Sequence, residues 1–345
     1  MSRSGTITIK DVAREASVSV ATVSRALNGH HNVAPEVRRL VLETAQRLRY
    51  QPHAAARSLS SRTTQTIGVV LPDLYGEFFS ELIRGIDGVA RERRKHLLVS
   101  SYHGAQEEQG AALRAMRGRV DGLLMLSPYA NQPGFLTDNL PAGLPAVLIN
   151  TLLPDETYPV LNIDNHGGAV TMMRHLVAAG HRRIAFIGGP ESNFDAAERL
   201  RGYRDALAEL LPDAQAQVLP GNFDEASGME AGNALLRSTP RPDAIFAAND
   251  VMALGCLFAL NEAGLRVPDD IALAGFDDVP VARFVHPTLT TMRISIAELG
   301  ANALQRLLQD IDAKGQLTTP APEPLVPELV VRSSAPAARE PSRRA

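Results

Sequence analysis

Polar and aromatic residues lie at or just beyond the ends of several short apolar runs, and their types suit the recognition of hydroxyl groups. Carboxylates accept hydrogen bonds, a guanidinium donates them and an amide does both, so together they can bind vicinal hydroxyls. An aromatic ring can stack on the apolar face of a sugar. The candidate residues are Asp73, Tyr75, Phe78, Phe79, Asn150, Asp195, Arg199, Phe223, Asn249, Asp250 and Asp277.

Two of these residues have an equally simple structural explanation. Asp250 could cap the helix predicted over 251–260, because an aspartate at a helix start accepts hydrogen bonds from free N–H groups. Phe78 could belong to the hydrophobic core. Arg199 is a stronger candidate, because a cationic group buried beside a cleft requires an anionic partner.

The apolar runs that precede these residues have the length and composition of buried strands. They alternate with segments of helical periodicity, such as 78–94 and 169–180, and this alternation predicts parallel sheets covered on both faces. Roughly 270 residues are too many for one such sheet, so we expect two similar lobes, divided near 160–168 with a return crossing near 290–295. The predicted strands are 67–72, 96–103, 122–127, 145–150, 183–189, 244–250 and 271–278.

This arrangement predicts where the candidate residues meet. In open α/β folds, ligands bind at the carboxyl ends of the strands, and here those ends would face the cleft between the lobes. The sequence therefore predicts a small-molecule site in that cleft.

The charge of the chain is unevenly distributed, although its total is only −3. Residues 1–65 contain ten Lys and Arg against four Asp and Glu, a net charge of +6, and the remainder carries −9. A basic segment on an acidic body indicates that the segment binds a polyanion and that the body has another task.

The basic segment has the pattern of three short helices. In 8–16 the apolar residues share one face, Thr8 is a candidate N-cap, and Asp11 stands in the position of a capping box. A second helix over 20–28 ends at Asn-Gly, and a third begins at Pro35. Two short helices joined by a tight turn and braced by a third make a helix-turn-helix. The predicted buried residues are Ile9, Val12, Ala13, Ala16, Val23, Ala26, Leu27, Val37, Leu40, Val41, Ala45 and Leu48.

The second helix exposes a face suited to DNA. Val20 and Ala21 are small enough for close approach, Thr22 and Ser24 offer hydroxyls to phosphates, and Arg25 can bind guanine bidentately. The alternative is a small helical bundle with no role in nucleic-acid binding, and this exposed face argues against it.

Two stretches of the basic segment resemble the LacI/GalR family of ligand-responsive repressors. They are TIKDVAREASVSVATVSRALNG at 8–29, similar to its helix-turn-helix, and YQPHAAARSL at 50–59, similar to its hinge helix. The resemblance implies base contacts by Val20, Ala21 and Arg25, and a Leu59 that wedges into the minor groove. An apolar side chain flanked by Arg and Ser is suited to that task. The resemblance also implies backbone contacts by Thr8, Ser19, Thr22, Ser24, Asn28 and Tyr50, and hinge positions at His53 and Ala56.

The body also resembles that family, whose core is periplasmic-binding-protein-like. The matching motifs are ERLRGY (198–203), AANDVMALG (247–255) and GFDD (275–278), and the resemblance extends from residue 8 to about residue 334. Members that bind purines carry an arginine where this chain has Asn193, which favours a sugar, and the absence of an extra basic pair favours an unphosphorylated one. The implied effector-binding residues are Phe79, Asn150, Asp195, Arg199, Phe223, Asn249 and Asp277.

We therefore predict an α/β protein with an all-α DNA-binding domain and hinge at 1–61, a two-lobe core at 62–334 and a disordered tail at 335–345. The tail is rich in Ala, Pro and Arg and lacks leucine heptads, which favours a homodimer. A dimer would place two recognition helices on a near-palindromic DNA operator. Effector binding would then change operator affinity, either as an inducer, which is favoured, or as a corepressor.

Other classes of protein fit the sequence less well. No nucleotide-binding glycine motif, nucleophile elbow or H-E-x-x-H is present, so we expect neither an enzyme nor a cofactor. The histidines at 30, 31 and 53 lack partner cysteines and regular spacing, so we expect no metal. The lone Cys256 excludes an internal disulfide. With no signal peptide and no apolar run of ~18 residues, a cytoplasmic protein is expected, and a secreted binding protein would have no use for the basic segment.

Overall fold

The chain divides into two compact units, Met1–Gln65 and Thr66–Ala345, here called the N-terminal and C-terminal units. A computed structural model describes residues 7–28, 32–50, 63–153, 157–313 and 323–338. Within these ranges no helix combines the length and the apolar character needed to cross a membrane.

The N-terminal unit contains the predicted helix-turn-helix. Its helices are α1 (Ile9–Glu15), α2 (Val20–Leu27) and α3 (Pro35–Arg47). The Asp11 carboxylate accepts hydrogen bonds from the backbone N–H of Thr8 at 3.0 Å and from its hydroxyl at 2.7 Å, which stabilises the start of α1. Pro35 occupies the first turn of α3, where a missing N–H costs no helical hydrogen bond.

The core of this unit confirms most of the predicted buried face, with one correction. Val12, Val23 and Val41 are fully buried between the three helices. Leu40 was predicted to be buried but is 47% exposed, because it lies at the margin of the inward face of α3, where Thr44 is buried instead.

The C-terminal unit begins with a lobe built on a five-stranded, fully parallel sheet in the order β2-β1-β3-β4-β5. We call this the first lobe. Its elements are β1 (Thr66–Leu71), α4 (Glu77–Glu92), β2 (His96–Ser101), α5 (Gln106–Ala115), β3 (Gly122–Leu126), α6 (Phe135–Asn139), β4 (Ala146–Ile149) and β5 (Val160–Leu161).

The second lobe carries a six-stranded sheet in the order β11-β10-β9-β8-β6-β7, in which only the β10–β11 pair is antiparallel. Its elements are α7 (Asn165–Ala178), β6 (Ile184–Ile187), α8 (Phe194–Leu210), β7 (Gln217–Leu219), α9 (Glu225–Leu236), β8 (Ala244–Ala247), α10 (Asp250–Glu262), β9 (Ala272–Asp277), β10 (Thr290–Arg293) and β11 (Glu328–Val330).

The chain crosses between the lobes three times, and the sequence predicted the first two crossings. The first crossing lies between β5 and α7. After β10 the chain returns to the first lobe as α11 (Ile296–Asp312), which packs on α4. A third crossing brings β11 back to the second sheet, and it was not predicted. All seven predicted strands are present, and β5, β7, β10 and β11, of two to four residues each, were not predicted.

Close packing of α4 on α11 depends on glycine. A Cβ atom added to Gly85 would lie 1.8 Å from the carbonyl oxygen of Ala297, so only a residue without a side chain fits there. Gly88, on the same helix, has nothing within 4 Å of an added Cβ.

The prediction that a disordered tail begins at residue 335 is wrong for Ala335 itself. Ala335 is fully buried, and its backbone N–H donates to Thr290 Oγ1 at 3.2 Å. The preceding Ser334 is also buried, and its hydroxyl donates to the Leu273 carbonyl at 2.6 Å. These hydrogen bonds attach the segment to β9 and β10, so the folded core extends to Ala335.

Candidate functional site

Helix α2 exposes the residues predicted to read bases. Val20 is 41% exposed, and Ala21 and Arg25 are also exposed. The Nε of Arg25 donates to the Ala21 carbonyl at 3.2 Å, so the side chain lies along the outer face of its own helix. That face is therefore open to an external partner.

The residues predicted to contact the DNA backbone also stabilise the N-terminal unit. Ser19 is the N-cap of α2, because its Oγ accepts from the backbone N–H of Thr22 at 3.1 Å. Asn28 donates to Ser24 Oγ at 3.4 Å, and Tyr50 packs against the core. Thr8 caps α1, as described above. The hinge residues His53, Ala56 and Leu59 lie outside the described residues.

A cavity of about 120 Å³ lies between the two lobes of the C-terminal unit. Six of the seven residues predicted to bind the effector line it. The first lobe contributes Pro72, Tyr75, Gly76, Glu77, Phe78, Phe79 and Leu126. The second lobe contributes Asn193, Asp195, Arg199, Phe223, Asn249, Val251, Asp277 and Val279.

Three candidate residues do not line the cavity: Asn150, Asp73 and Asp250, the last of which is described below. Asn150, at the end of β4, stands behind Asp195 and donates to its Oδ2 at 3.1 Å. Asp73 is exposed, and its Oδ1 accepts from the backbone N–H groups of Leu74 and Tyr75, so it stabilises its own turn.

Arg199 lies at the centre of the polar wall and is only 3% exposed. Its Nη1 lies 3.1 Å from Asp277 Oδ1 and donates to the Ala248 carbonyl at 2.6 Å. Its Nε donates to Asn165 Oδ1 at 2.8 Å, and its Cζ lies 3.9 Å from the centroid of the Phe276 ring. These contacts hold the guanidinium in one orientation, as the sequence argument for a partnered buried cation requires.

Asp195 joins the two lobes. Its Oδ1 accepts from Asn165 at 2.7 Å, within the second lobe. Its Oδ2 accepts from Asn150 of the first lobe. A change in the distance between the lobes would therefore stretch or break the Asn150–Asp195 hydrogen bond.

Burial perturbs the carboxyl groups of the wall. Removal from water raises the pKa of Asp277 to about 6, although the nearby Arg199 cation acts to lower it. Burial likewise raises the pKa of Asp195, against the lowering effects of Arg199, Asn165 and Asn150. One guanidinium therefore compensates two carboxylates only in part.

Two buried acceptor atoms at this site lack a hydrogen-bond donor among the described residues: Oδ1 of Asn150 and Oδ1 of Asp277. Arg199 Nη1 forms an ion pair with the second of them at 3.1 Å. Buried acceptors are almost always satisfied in folded proteins, so the Asp277 atom, whose residue lines the cavity, is a candidate partner for a hydroxyl or N–H group of a ligand. Positive φ angles at Asn150 (49°), Phe223 (65°) and Asp277 (111°) place backbone strain at the same site.

Asp250 neither caps α10 nor lines the cavity, the two roles considered from the sequence. The N-cap of α10 is Asn249, whose Oδ1 accepts from the Met252 N–H at 2.9 Å and whose Nδ2 donates to the Phe223 carbonyl at 3.1 Å. Asp250 is fully buried and accepts from Thr291 Oγ1 at 2.6 Å and from the Val279 N–H at 3.0 Å. Burial raises its pKa well above the ordinary value. It braces the cavity wall from behind.

Several residues of the site carry no clear signal in the sequence. Val251 and Val279 are apolar and look like ordinary core residues. Gly189 underlies the Phe223 ring, because an added Cβ would lie 2.5 Å from Phe223 Cζ. The Gly188-Gly189 pair is the only signal of this fit that the sequence offers. Phe78, whose role the sequence left open between core and site, lines the cavity. Its ring packs edge-on against the Phe79 ring, with the centroids 5.4 Å apart.

The described residues of both units contain no group of three or more His, Cys, Asp or Glu placed to hold a metal ion. The cavity offers acceptors, one cation and aromatic rings. This set of groups suits the binding of a polar, uncharged molecule.

Comparisons with known proteins match both units of the chain. Residues 8–53 match the profile described as bacterial regulatory proteins, lacI family, and residues 173–335 match a periplasmic binding protein-like domain. Catabolite control protein A of Priestia megaterium is 37% identical over 304 residues, 87% of this chain and 91% of that protein.

Two solved structures resemble the whole chain. The structure of the lac repressor dimer bound to operator and the anti-inducer ONPF has a TM-score of 0.84 at 29% identity, covering 96% of this chain and 100% of that one. The complex of the transcriptional regulator CelR with cellobiose has a TM-score of 0.70 at 32% identity, covering 95% and 99%.

Proposed function

The chain belongs to the LacI family of DNA-binding transcriptional regulators, and on that premise we propose that it is a homodimeric repressor whose operator affinity changes when an unphosphorylated sugar binds between its two lobes. It is a regulator and not an enzyme. We assign DNA reading and the hinge to residues 1–61 and effector binding to residues 62–334. The protein acts on DNA in the cytoplasm.

The DNA-reading half of this proposal rests on the exposed face of α2. Val20 and Ala21 allow the helix to approach the bases closely, and Arg25 reads a guanine in each half-site. Ser19, Thr22 and Ser24 contact phosphates near the start of that helix. Leu59, in the hinge segment that also contains His53 and Ala56, wedges into the minor groove at the centre of a near-palindromic operator and kinks it.

The observation that carries the effector assignment is the acceptor-rich wall formed by Asp195, Arg199 and Asp277. An anionic group such as a phosphate would meet two incompletely compensated carboxylates, so the site disfavours it. A neutral sugar can donate a hydroxyl to the unsatisfied oxygen of Asp277, which lines the cavity. The Phe79 and Phe223 rings are placed to pack on its apolar face.

The Asn150–Asp195 hydrogen bond offers a route from effector to DNA. A sugar that binds these side chains competes with the bond between the lobes and changes the lobe spacing. The chain enters the first lobe at Thr66, so the change reaches the hinge. A coupling of ~1–3 kcal/mol is typical of such a switch. We favour an inducer, a sugar that lowers operator affinity and releases the DNA. The alternative is a corepressor, which raises operator affinity.

One experiment tests both halves: selection of the operator from random duplexes by the purified chain, followed by titration with a panel of sugars. Arg25→Ala should weaken operator binding by about 1–3 kcal/mol and relax the preference at one base in each half-site. Equal weakening on every sequence would contradict base reading by Arg25.

The sugar arm of the same experiment uses Phe223→Ala. The variant should bind the operator as the unmodified chain does but lose most of its response to the active sugar, because the stacking surface is gone. Operator binding without sugar is the internal control. A normal response in this variant would show that the cavity is not the effector site.

A further inference from the structure

Five exposed arginines cluster on the first lobe, in an otherwise acidic unit. Arg91, Arg93 and Arg94 lie at the end of α4, just before β2, and Arg117 and Arg119 precede β3. We call this set the basic edge.

The arginines of the basic edge have no carboxylate partner among the described residues. Many other arginines of the unit are paired: Arg84 with Glu81, Arg201 with Glu198 and Arg266 with Asp270. A guanidinium without an acidic partner keeps its full positive field at the surface. The basic edge therefore presents charge that no interaction within the described protein neutralises.

The acidic groups near the basic edge do not cancel its charge. Asp121 is paired with Lys95 at 3.4 Å, so that pair is neutral. Glu92 is exposed between two of the arginines. Asp312 lies at the end of α11, whose Ile311 packs against Gly122 at the start of β3. Asp87 lies one helical turn before Arg91 on α4 and has no ion pair among the described residues. Five arginines against these three acids leave a net charge of about +2 at this edge.

The strand register puts the basic edge where the chain enters the C-terminal unit. Thr66 of β1 pairs with His96 of β2, and Ile67 pairs with Gly122 of β3, so the three strands begin at one level. The cavity lies at the opposite, carboxyl ends of the same strands. Since β1 spans six residues, the basic edge and the cavity are separated by roughly 20 Å of sheet.

We propose that the basic edge binds phosphates of the DNA held by the N-terminal unit, so that the effector-binding core itself contributes to operator affinity. The inference rests on the proposed function, since it requires DNA bound through α2. The chain arrives at this edge from the DNA-reading unit, and this connection gives the bound DNA a high effective concentration at the arginines. Guanidinium groups form bidentate, charge-assisted hydrogen bonds with phosphate.

The salt dependence of operator binding by the full chain tests the inference. Each phosphate bound on duplex DNA contributes about 0.9 to the slope of log K against log salt. Arg91→Gln/Arg93→Gln should lower that slope by about one for each phosphate that the variant no longer binds, and should raise the Kd for operator roughly five- to tenfold at low salt. Arg117→Gln/Arg119→Gln should act in the same direction, and both should weaken binding to unrelated duplexes in proportion.

The matched control is Arg204→Gln/Arg237→Gln, which removes two exposed arginines from the second lobe. It changes the net charge of the chain equally, so it should leave the slope unchanged if the basic edge touches DNA. Unaltered slopes and Kd values in both basic-edge variants would overturn the inference, as would an equal weakening in the control. Failure of the unmodified chain to bind any operator would refute the proposed function itself. An unmodified chain that binds operator, together with unaffected basic-edge variants, would refute only the role of the basic edge.

Discussion

Arg199 shows how one residue organises the site. It is the only cationic side chain among the described residues that line the cavity, and it holds Asp277, Asn165 and the Ala248 carbonyl in fixed positions. The wall retains an excess of carboxylate, which makes the protonation of Asp277 part of the energetics of the fold.

Asp277 should make stability depend on pH. Its pKa of about 6 lies above the ordinary value of 3.8, so between these values the folded chain binds a proton that the unfolded chain does not. The stability cost of the ionised group is therefore fully present above pH 6 and is relieved progressively as the pH falls from about 6 to 3.8. Asp277→Asn imitates the protonated form, so the Tm of the unmodified chain should rise relative to the variant between pH 7.5 and pH 5. Thermal unfolding at both pH values measures this, and a constant difference would contradict it.

At the scale of elements, the packing of α4 against α11 decides which helix positions tolerate a side chain. Gly85 and Gly88 lie on one helix, three residues apart, and the sequence does not distinguish them. The tertiary structure does, because the Ala297 backbone of α11 covers only the first.

We expect opposite effects from alanine at these two positions. Gly85→Ala should destabilise the chain by about 1–3 kcal/mol, because α11 must move away from α4. Gly88→Ala should stabilise it by about 0.5–1 kcal/mol, because alanine has the higher helix propensity and meets nothing. Urea unfolding of both variants checks this. If both changes were neutral, the close contact of the two helices would be in doubt.

For the molecule as a whole, the second lobe leaves two large aromatic side chains in water: Phe284 is 81% exposed and Phe258 is 57% exposed. We expect the Phe284 ring, the more exposed of the two, to belong to an interaction surface. In the proposed homodimer this surface faces a second copy of the chain, and the pairing supplies the second recognition helix that a palindromic operator requires.

Phe284→Glu should therefore produce a monomer in sedimentation velocity and reduce operator affinity, because a charge would enter an apolar interface. Val218→Glu is the matched control, since Val218 is exposed on the edge strand β7 of the same lobe. A Phe284→Glu variant that remains dimeric would exclude this residue from the interface.

The sequence by itself determined much of this description. The three helices of the N-terminal unit were predictable because periodicity, caps and turns involve residues within a few positions of each other. The seven long strands were predictable for the same reason, and the motifs around Asp195, Asn249 and Asp277 indicated the cleft. Strands β5, β7 and β11 were missed because two or three residues are too few to show a period, and β10 because its sequence, TTMR, is not an apolar run. Leu40 was misplaced because periodicity defines a face but not its margins.

Only the tertiary structure decided which distant residues meet. The contact of Asn150 with Asp195, the burial of Asp250 against Thr291 and the fit of Gly189 under Phe223 all join segments that are separated along the chain. Each follows from strand order and helix packing, which bring the carboxyl ends of particular strands together. The clustering of five arginines on the edge where β1 begins has the same origin, because parallel strands align their starting points whatever their distance in sequence.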